Sequence, residues 1–406
     1  MGVKEHPVFA EISEKEIAGL STPCYVIDES GLKKNGGILK SVAERTGCKI
    51  LLAQKAFSNY DFYPLLAEYL AGTEASGLFE ARLGAEEMPG KEVHVFCGAY
   101  REEEFEELLW YADHIVFNSI HQLAKFGRRA KDSGKSVGLR INPECSTQGT
   151  HAIYDPCAPG SRLGVTREVW NKEMTEELFG LLDGLHFHTL CEQDADALEI
   201  TLYAAEEKFG DVLPKMNWLN MGGGHHITKP GYDVGKLEKC ITYAQEKWKL
   251  QVYLEPGEAV ALNAGYLVTR VLDVVENNGI KIAVLDASAA CHMPDVIEMP
   301  YTPPLYSAVK YEDVEYTYHY RLAGPTCLAG DVIGDYCFKE ELQEGDFLIF
   351  EDMAIYTTCK NNTFNGMPLP DIWKKTEEGN LVQLTNFGYE DFKYRLGKTS
   401  SSTGEF

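Results

Sequence analysis

The sequence predicts an α/β architecture in which an N-terminal (β/α)8 TIM-like barrel is followed by a C-terminal β domain. Three observations carry that expectation. Between Ser30 and Glu255 a helical stretch, a turn and a short β-rich run recur through eight units. After Gly257 the rhythm changes to β-branched and aromatic runs with few helical stretches between them. The chain has 406 residues, more than the roughly 250–300 at which a single core stops growing, so two domains are expected. Periodicity does not show closure, and an open doubly wound sheet is the alternative.

Taken in order, residues 1–28 end in PCYVID, which reads as a lead-in strand expected to join the β domain. The barrel is expected over 29–258. Its first strand, 50–53, is the run ILLA, apolar on both faces as parallel strands are when helices cover them. The next candidates are 73–76, 93–97, 114–117, 137–141, 185–188, 218–221 and 252–255. Segments with apolar positions three or four apart separate them, at 61–71, 102–111, 121–132, 175–182, 195–209 and 234–249. The longest interruption, 142–165, carries Pro143, Pro156 and Pro159 with Gly149, Gly160 and Gly164, and is expected to loop over one end of the barrel. The β domain is expected over 259–406 with antiparallel strands. Its runs are 259–275, 282–285, 314–321 and 347–350, and its loops hold CHMPD (291–295), GPTCLAGD (324–331) and DMAIYT (352–357).

Composition narrows the function. The net charge is −24, which argues against nucleic acid or an anionic membrane as partner and favours a cationic small molecule. Acidity also serves solubility alone. No apolar run approaches the roughly 18 residues of a membrane span, and the N-terminal segment lacks the apolar core of a signal peptide. The eleven cysteines include no C-x-x-C pair, so reduced thiols and a cytoplasmic setting are expected.

In a parallel barrel the C-terminal strand ends converge on one mouth, and there this chain places Lys55, Ser76, Arg140, Asn142, His188, Gly222–Gly224 and Glu255-Pro256-Gly257. A lysine at such a point can act as a Schiff-base nucleophile, although taken alone it reads more readily as an ordinary strand-end cation. Three glycines let the backbone approach a phosphate, or simply turn tightly. Glu255 could keep a heterocyclic nitrogen cationic, or sit in a barrel salt bridge. His188 could lie against a flat ring, or be structural. His186 and His188 share a face, but no third ligand has metal-site spacing, so no metal is expected. Together these groups point to pyridoxal 5'-phosphate.

The ordered set AQKAF, GLHFHT, NMGGG, EPG, GPTC and FEDMAIYT resembles the fold-type III decarboxylases of the ornithine/diaminopimelate decarboxylase superfamily, most nearly its carboxynorspermidine (carboxyspermidine) branch, from about residue 23 to 366. The resemblance implies an alanine racemase-like pairing of barrel and C-terminal β-barrel domain. It implies Lys55 as the lysine that holds the cofactor, His188 on the ring face, Glu255 at the ring nitrogen, and Gly222, Gly223, Gly224, Gly257 and Tyr356 at the phosphate, with Ser76 also lining the cofactor. It further implies a head-to-tail homodimer with shared sites, in which Cys327 of a second copy reprotonates the substrate carbon. For a cationic amino acid or polyamine, Glu258, Asp295, His292 and Asp331 are the candidate substrate contacts, with Glu192 and Glu298 as further acidic groups. Two departures stand out: Glu258 follows EPG where many relatives carry arginine, and Thr189-Leu190-Cys191-Glu192 replaces a glycine-rich continuation. Ornithine or diaminopimelate as substrate, and a non-catalytic homologue that binds a protein, are the alternatives.

Overall fold

The structure, a computed structural model, describes residues 17, 19–149, 155–306, 308–310 and 316–397. Most of the expected lead-in segment before residue 19, residues 150–154 of the long loop and residues 314–315 of a β-rich run therefore lie outside the described residues. Two compact units are present, one of Leu32–Leu262 and one that joins Met1–Gly31 to Asn263–Phe406.

The first strand, β1 (Cys24–Asp28), is wholly buried and belongs to the second unit. The first unit is a closed barrel of eight parallel strands: β2 (Lys49–Ala53), β3 (Gly72–Ala75), β4 (Glu92–Phe96), β5 (His114–Phe117), β6 (Ser136–Arg140), β7 (Gly184–His186), β8 (Trp218–Asn220) and β9 (Gln251–Leu254). Closure comes from β9 pairing with β2 through Lys49↔Tyr253 and Ile50↔Leu254. The open sheet is thereby excluded. Helices at Glu102–Tyr111, Ile120–Asp132, Ala195–Phe209 and Val234–Trp248 cross between strands. Two expected helices are shorter. The 61–71 stretch is a 3-10 turn at Tyr60–Phe62 running into Tyr63–Leu66, and 175–182 contracts to Glu176–Phe179, where Thr175 caps the Leu178 amide at 3.2 Å and Gly180 ends the helix.

At the N-terminal end of the strands the barrel is plugged by Trp218. A Cβ on Gly138 or Gly184 would lie 2.3 or 2.0 Å from its indole, so both positions must be glycine for the ring to cross the interior. The indole N–H donates to Ser136 Oγ at 2.8 Å, and Leu51, Val116 and Tyr253 pack around the ring. Beside this plug His94 stacks on His114, with centroids 3.9 Å apart and planes 12° apart. His94 Nε2 lies 3.0 Å from Glu92 Oε2, and Lys49 pairs with the same carboxylate.

The second unit is one nine-stranded sheet containing β1, β10 (Gly265–Asn277), β11 (Ile280–Leu285), β12 (Ala308–Lys310), β13 (Tyr318–Ala323), β14 (Val332–Phe338), β15 (Phe347–Glu351), β16 (Asp371–Lys375) and β17 (Leu381–Thr385). The order is β12-β14-β13-β11-β10-β1-β16-β17, with β15 also on β10. The sheet is mixed rather than antiparallel, because β11–β13 and β1–β16 are parallel pairs. Long connections make this possible: β13 returns to β11 after the helices Ala289–His292 and Asp295–Glu298, and β1 arrives from the other end of the chain. The β10–β11 hairpin turns on Asn278 (φ 52°) and Gly279 (φ 77°), the left-handed pair that tight hairpins favour. No helix among the described residues is long and apolar enough to cross a membrane.

Candidate active site

The chain leaves β2 in a turn over 54–56 that is fixed from inside. Gln54 is fully buried, its Nε2 donates to Glu80 O at 2.8 Å, and its Oε1 accepts from Tyr63 O–H at 3.0 Å. With Gln54 anchored, Lys55 is turned outward and exposed at the C-terminal end of the barrel. Among the described residues its ammonium has no hydrogen-bond or ion-pair partner.

Glu255, the residue after β9, is 4 % exposed. Its Oε2 lies 3.1 Å from His186 Nε2, and Asn220 Nδ2 donates to Oε1. Burial pushes this carboxyl up, but His186, His94 and Lys55 outweigh it and the net displacement is downward, so Glu255 is ionised. Partners on both oxygens fix its orientation and leave lone pairs for a further donor. His188 stands two residues beyond β7, partly exposed at the mouth. Its Nδ1 accepts the Gly223 N–H at 3.0 Å, and burial together with Lys55 and Arg140 holds its pKa well below the usual value. His188 is therefore a neutral, oriented ring. Arg140 is buried, donates to His188 O at 3.0 Å and lies 4.6 Å over the Phe96 ring.

The glycine turn is required by packing before any ligand is considered. A Cβ on Gly222 would meet Phe187 O at 2.4 Å, on Gly223 Glu255 O at 2.4 Å, and on Gly224 Leu190 O at 2.1 Å. The Gly222 N–H donates to Asn220 Oδ1 at 2.9 Å and the Gly223 N–H to His188. These two amides are engaged within the barrel, so the expectation that all three glycines present N–H groups to a phosphate needs correction. The Gly224 and Gly257 amides have no acceptor among the described residues. Gly257 also sits where a Cβ would be 2.6 Å from Ala56 Cβ and 3.0 Å from Ala53 O, against the turn that carries Lys55. Ser76, at the end of β3, is exposed and donates its N–H to Glu80 Oε2 at 2.6 Å.

Glu258 begins the short helix Glu258–Ala261 and lies 3.0 Å from His226 Nε2, and donor atoms of Glu192, His226 and Glu258 all fall within 4.8 Å of one another. The two departures from the superfamily pattern thus meet at one place. Burial lowers the His226 pKa, but Glu258 more than offsets it and the net shift is upward.

The other expected residues belong to the β unit. Cys327 is exposed, with its N–H donated to Asn365 Oδ1 at 2.9 Å. Tyr356 adopts φ 56° in the turn after β15. Asp295 and Glu298 are both ion-paired to Lys360. Asp331 and His292 are corrections. Asp331 is 2 % exposed, and its carboxylate accepts from Ser288 Oγ, the Ala290 N–H and Thr326 Oγ1. His292 is fully buried, with Nε2 3.0 Å from Pro368 O and Nδ1 accepting the Ser288 N–H at 3.1 Å. Both bind the loop framework of their own unit, and neither has a polar group to offer a substrate. Sequence reasoning missed Asn220 and Glu74. Glu74 shares the inward parity of Ser76 on β3 and is 3 % exposed, with its Oε2 unpartnered among the described residues.

The barrel mouth therefore presents an exposed unpaired amine, an ionised oriented carboxylate, a neutral imidazole and two unengaged glycine amides. This donor set fits an anionic aldehyde cofactor with a basic ring nitrogen. Residues 24–354 match the family described as "Pyridoxal-dependent decarboxylase, C-terminal sheet domain". A carboxynorspermidine/carboxyspermidine decarboxylase of Campylobacter jejuni is 43% identical over 93% of this chain and 98% of its own length. A carboxyaminopropylagmatine decarboxylase of Synechocystis sp. is 41% identical over 95% of this chain and 98% of its own. The crystal structure of carboxynorspermidine decarboxylase complexed with norspermidine from Campylobacter jejuni aligns with a TM-score of 0.85 at 41% identity, covering 93% of this chain and all of that one. From the closed barrel, the donor set at its mouth and likeness along nearly the full length, the chain belongs to the pyridoxal 5'-phosphate-dependent decarboxylases, fold-type III carboxy-lyases.

Proposed function

We propose that this chain removes the α-carboxylate of carboxynorspermidine or carboxyspermidine, giving norspermidine or spermidine. The observation that carries the reading is 43% identity over nearly the whole length to a relative of that activity. The acidic mouth supports it, since Glu192 and Glu258 favour a cationic tail and the net charge is −24. A second reading is favoured by the Synechocystis relative, nearly as similar, whose named substrate ends in a guanidinium instead of an ammonium.

Lys55 would hold the cofactor by its aldehyde carbon, Glu255 by its ring nitrogen, His188 by its ring face, and the Gly224 and Gly257 amides by its phosphate. When bound, pyridoxal 5'-phosphate supplies an electron sink for the pair left on the α-carbon as carbon dioxide departs. Lys55, exposed and without an ion-pair partner among the described residues, would be the amine whose place the substrate amine takes. Glu255, ionised and fixed by His186 and Asn220, would favour positive charge at the ring nitrogen. Cys327 of a second copy then delivers a proton to the α-carbon. This last role rests on the family resemblance, on the exposure of Cys327 and on the bracing of its loop by Asp331. We place the homodimer in the cytoplasm, because all eleven cysteines are free.

Carbon dioxide release from the purified protein should be fastest with carboxynorspermidine or carboxyspermidine among five candidates, the others being carboxyaminopropylagmatine, ornithine and diaminopimelate. Preference for carboxyaminopropylagmatine would establish the second reading, and preference for diaminopimelate would overturn both. Lys55→Ala should abolish turnover together with the visible absorption of the bound cofactor.

A further inference from the structure

Inside the barrel, next to the groups assigned above, is a carboxylate with no evident task. Glu74 is the third residue of β3, in register with Ala53 of β2 on one side and His94 of β4 on the other. It is 3 % exposed, and Oε2 has no hydrogen-bond partner among the described residues. Glu255 differs in this respect, with partners on both oxygens. An ionised carboxylate buried without donors loses its hydration uncompensated, whereas the protonated acid loses far less and carries a donor of its own.

We propose that Glu74 and Glu255 form a pair that holds a single proton, with Glu74 as the protonated member and hence a positioning residue that reserves the negative charge for Glu255. The proposal rests on the cofactor site described above. Its geometry is that of two inward carboxyls at one barrel mouth, one supplied with donors and the other without, so the proton resides where the charge would be costlier. The charged and titratable groups around Glu74 are Glu255 beyond β9, Lys55 beyond β2, Glu80 on the helix Leu78–Glu87, Arg140 on β6, and Cys97 and Tyr100 beyond β4. Burial is the largest influence and Glu255 the next, both upward, against Lys55 and Arg140, and the carboxyl is raised to about 8. At neutral pH the pair therefore carries one negative charge, held at the place where a ring nitrogen needs it. As pH rises through that value a second charge appears beside the first, which repels an incoming α-carboxylate.

Infrared difference spectroscopy of the holoenzyme against Glu74→Gln tests this. At neutral pH the wild type should show the carbonyl stretch of a protonated carboxyl, sensitive to deuterium exchange, that is absent from Glu74→Gln and fades as pH rises through about 8. The amide is a neutral isostere with a donor, so Glu74→Gln should keep cofactor affinity within about twofold. Its KM should lose the alkaline rise that wild type shows, since only KM carries the repulsion of the substrate carboxylate. If Glu74→Gln does not fold, the wild-type spectrum decides alone, because absence of a titrating carboxyl band between pH 6 and 9 overturns the proposal. A band present in protein whose Lys55→Ala variant still turns over would instead leave the pair intact and overturn the cofactor reading.

Discussion

At the residue scale, what makes Glu255 effective is the way its neighbours hold it. His186 helps to keep it ionised and, with Asn220, keeps it aimed, so in the proposed role replacing its charge would remove an interaction that matters most as charge develops on the cofactor ring. Glu255→Gln should lower kcat by about 100-fold or more, with little change in thermal stability because the amide keeps a partner in His186. Stopped-flow or steady-state kinetics with unchanged melting would show this, and a loss confined to KM would contradict it. Gly223→Ala belongs at the same scale. Its new Cβ would press on Glu255 O at 2.4 Å and approach the His188 ring at 3.2 Å, so a stability loss of about 1–3 kcal/mol is expected with a loosened cofactor. The place of Lys55, His188 and Glu255 at the C-terminal strand ends was legible in the sequence, because an abrupt polar residue closes each apolar run. The engagement of the Gly222 and Gly223 amides was not, since a sequence does not say that Asn220 and His188 will accept from them. Glu74 was within reach, because it has the same strand parity as Ser76, which did draw attention.

At the scale of elements, the strands were readable within one or two residues because parallel barrel strands are apolar on both faces and end abruptly at polar or glycine residues. The β unit was less readable. Its parallel pairings depend on which distant strands meet, and local alternation is identical for either direction. The polar end of the barrel makes a further testable point. Burial and the neighbouring His94 lower the His114 pKa to about 3, far below that of the unfolded chain at about 6.5. Between those values the unfolded state takes up a proton that the folded state refuses, so stability falls as pH is lowered from about 6.5 toward 3. Glu92 adds to the loss further down. Burial raises its carboxyl, His94 and Lys49 pull it to about 2, and the stability it contributes disappears as pH falls from the ordinary carboxylate range through that value. The melting temperature of His114→Gln should fall less steeply with acid between pH 6.5 and 4 than that of wild type. Equal slopes would show that the stacked histidines are not the source.

At the scale of the whole molecule, the two-unit organisation was foreseeable from length and change of rhythm, whereas the proposed sharing of a site between two copies is implied only by the family resemblance. Mixing tests it directly. Lys55→Ala and Cys327→Ala homodimers should each be inactive or nearly so, yet random subunit exchange should restore about a quarter of wild-type activity, because half the dimers are mixed and each then has one intact site. No recovery after verified exchange would place both residues in one chain's site. The position of β1 has an additional consequence, for the order of events during synthesis. Cys24–Asp28 emerges first but is sandwiched between β10, antiparallel at 265–268, and β16, parallel at 371–375. Until more than two hundred residues of barrel have followed, this apolar strand has no sheet to enter, and the middle of the nine-stranded sheet stays open. The barrel can thus mature on the ribosome while its neighbour waits for the last part of the chain. During that wait the exposed strand is a natural point of attachment for a chaperone and the place where deletion would divide the sheet in two.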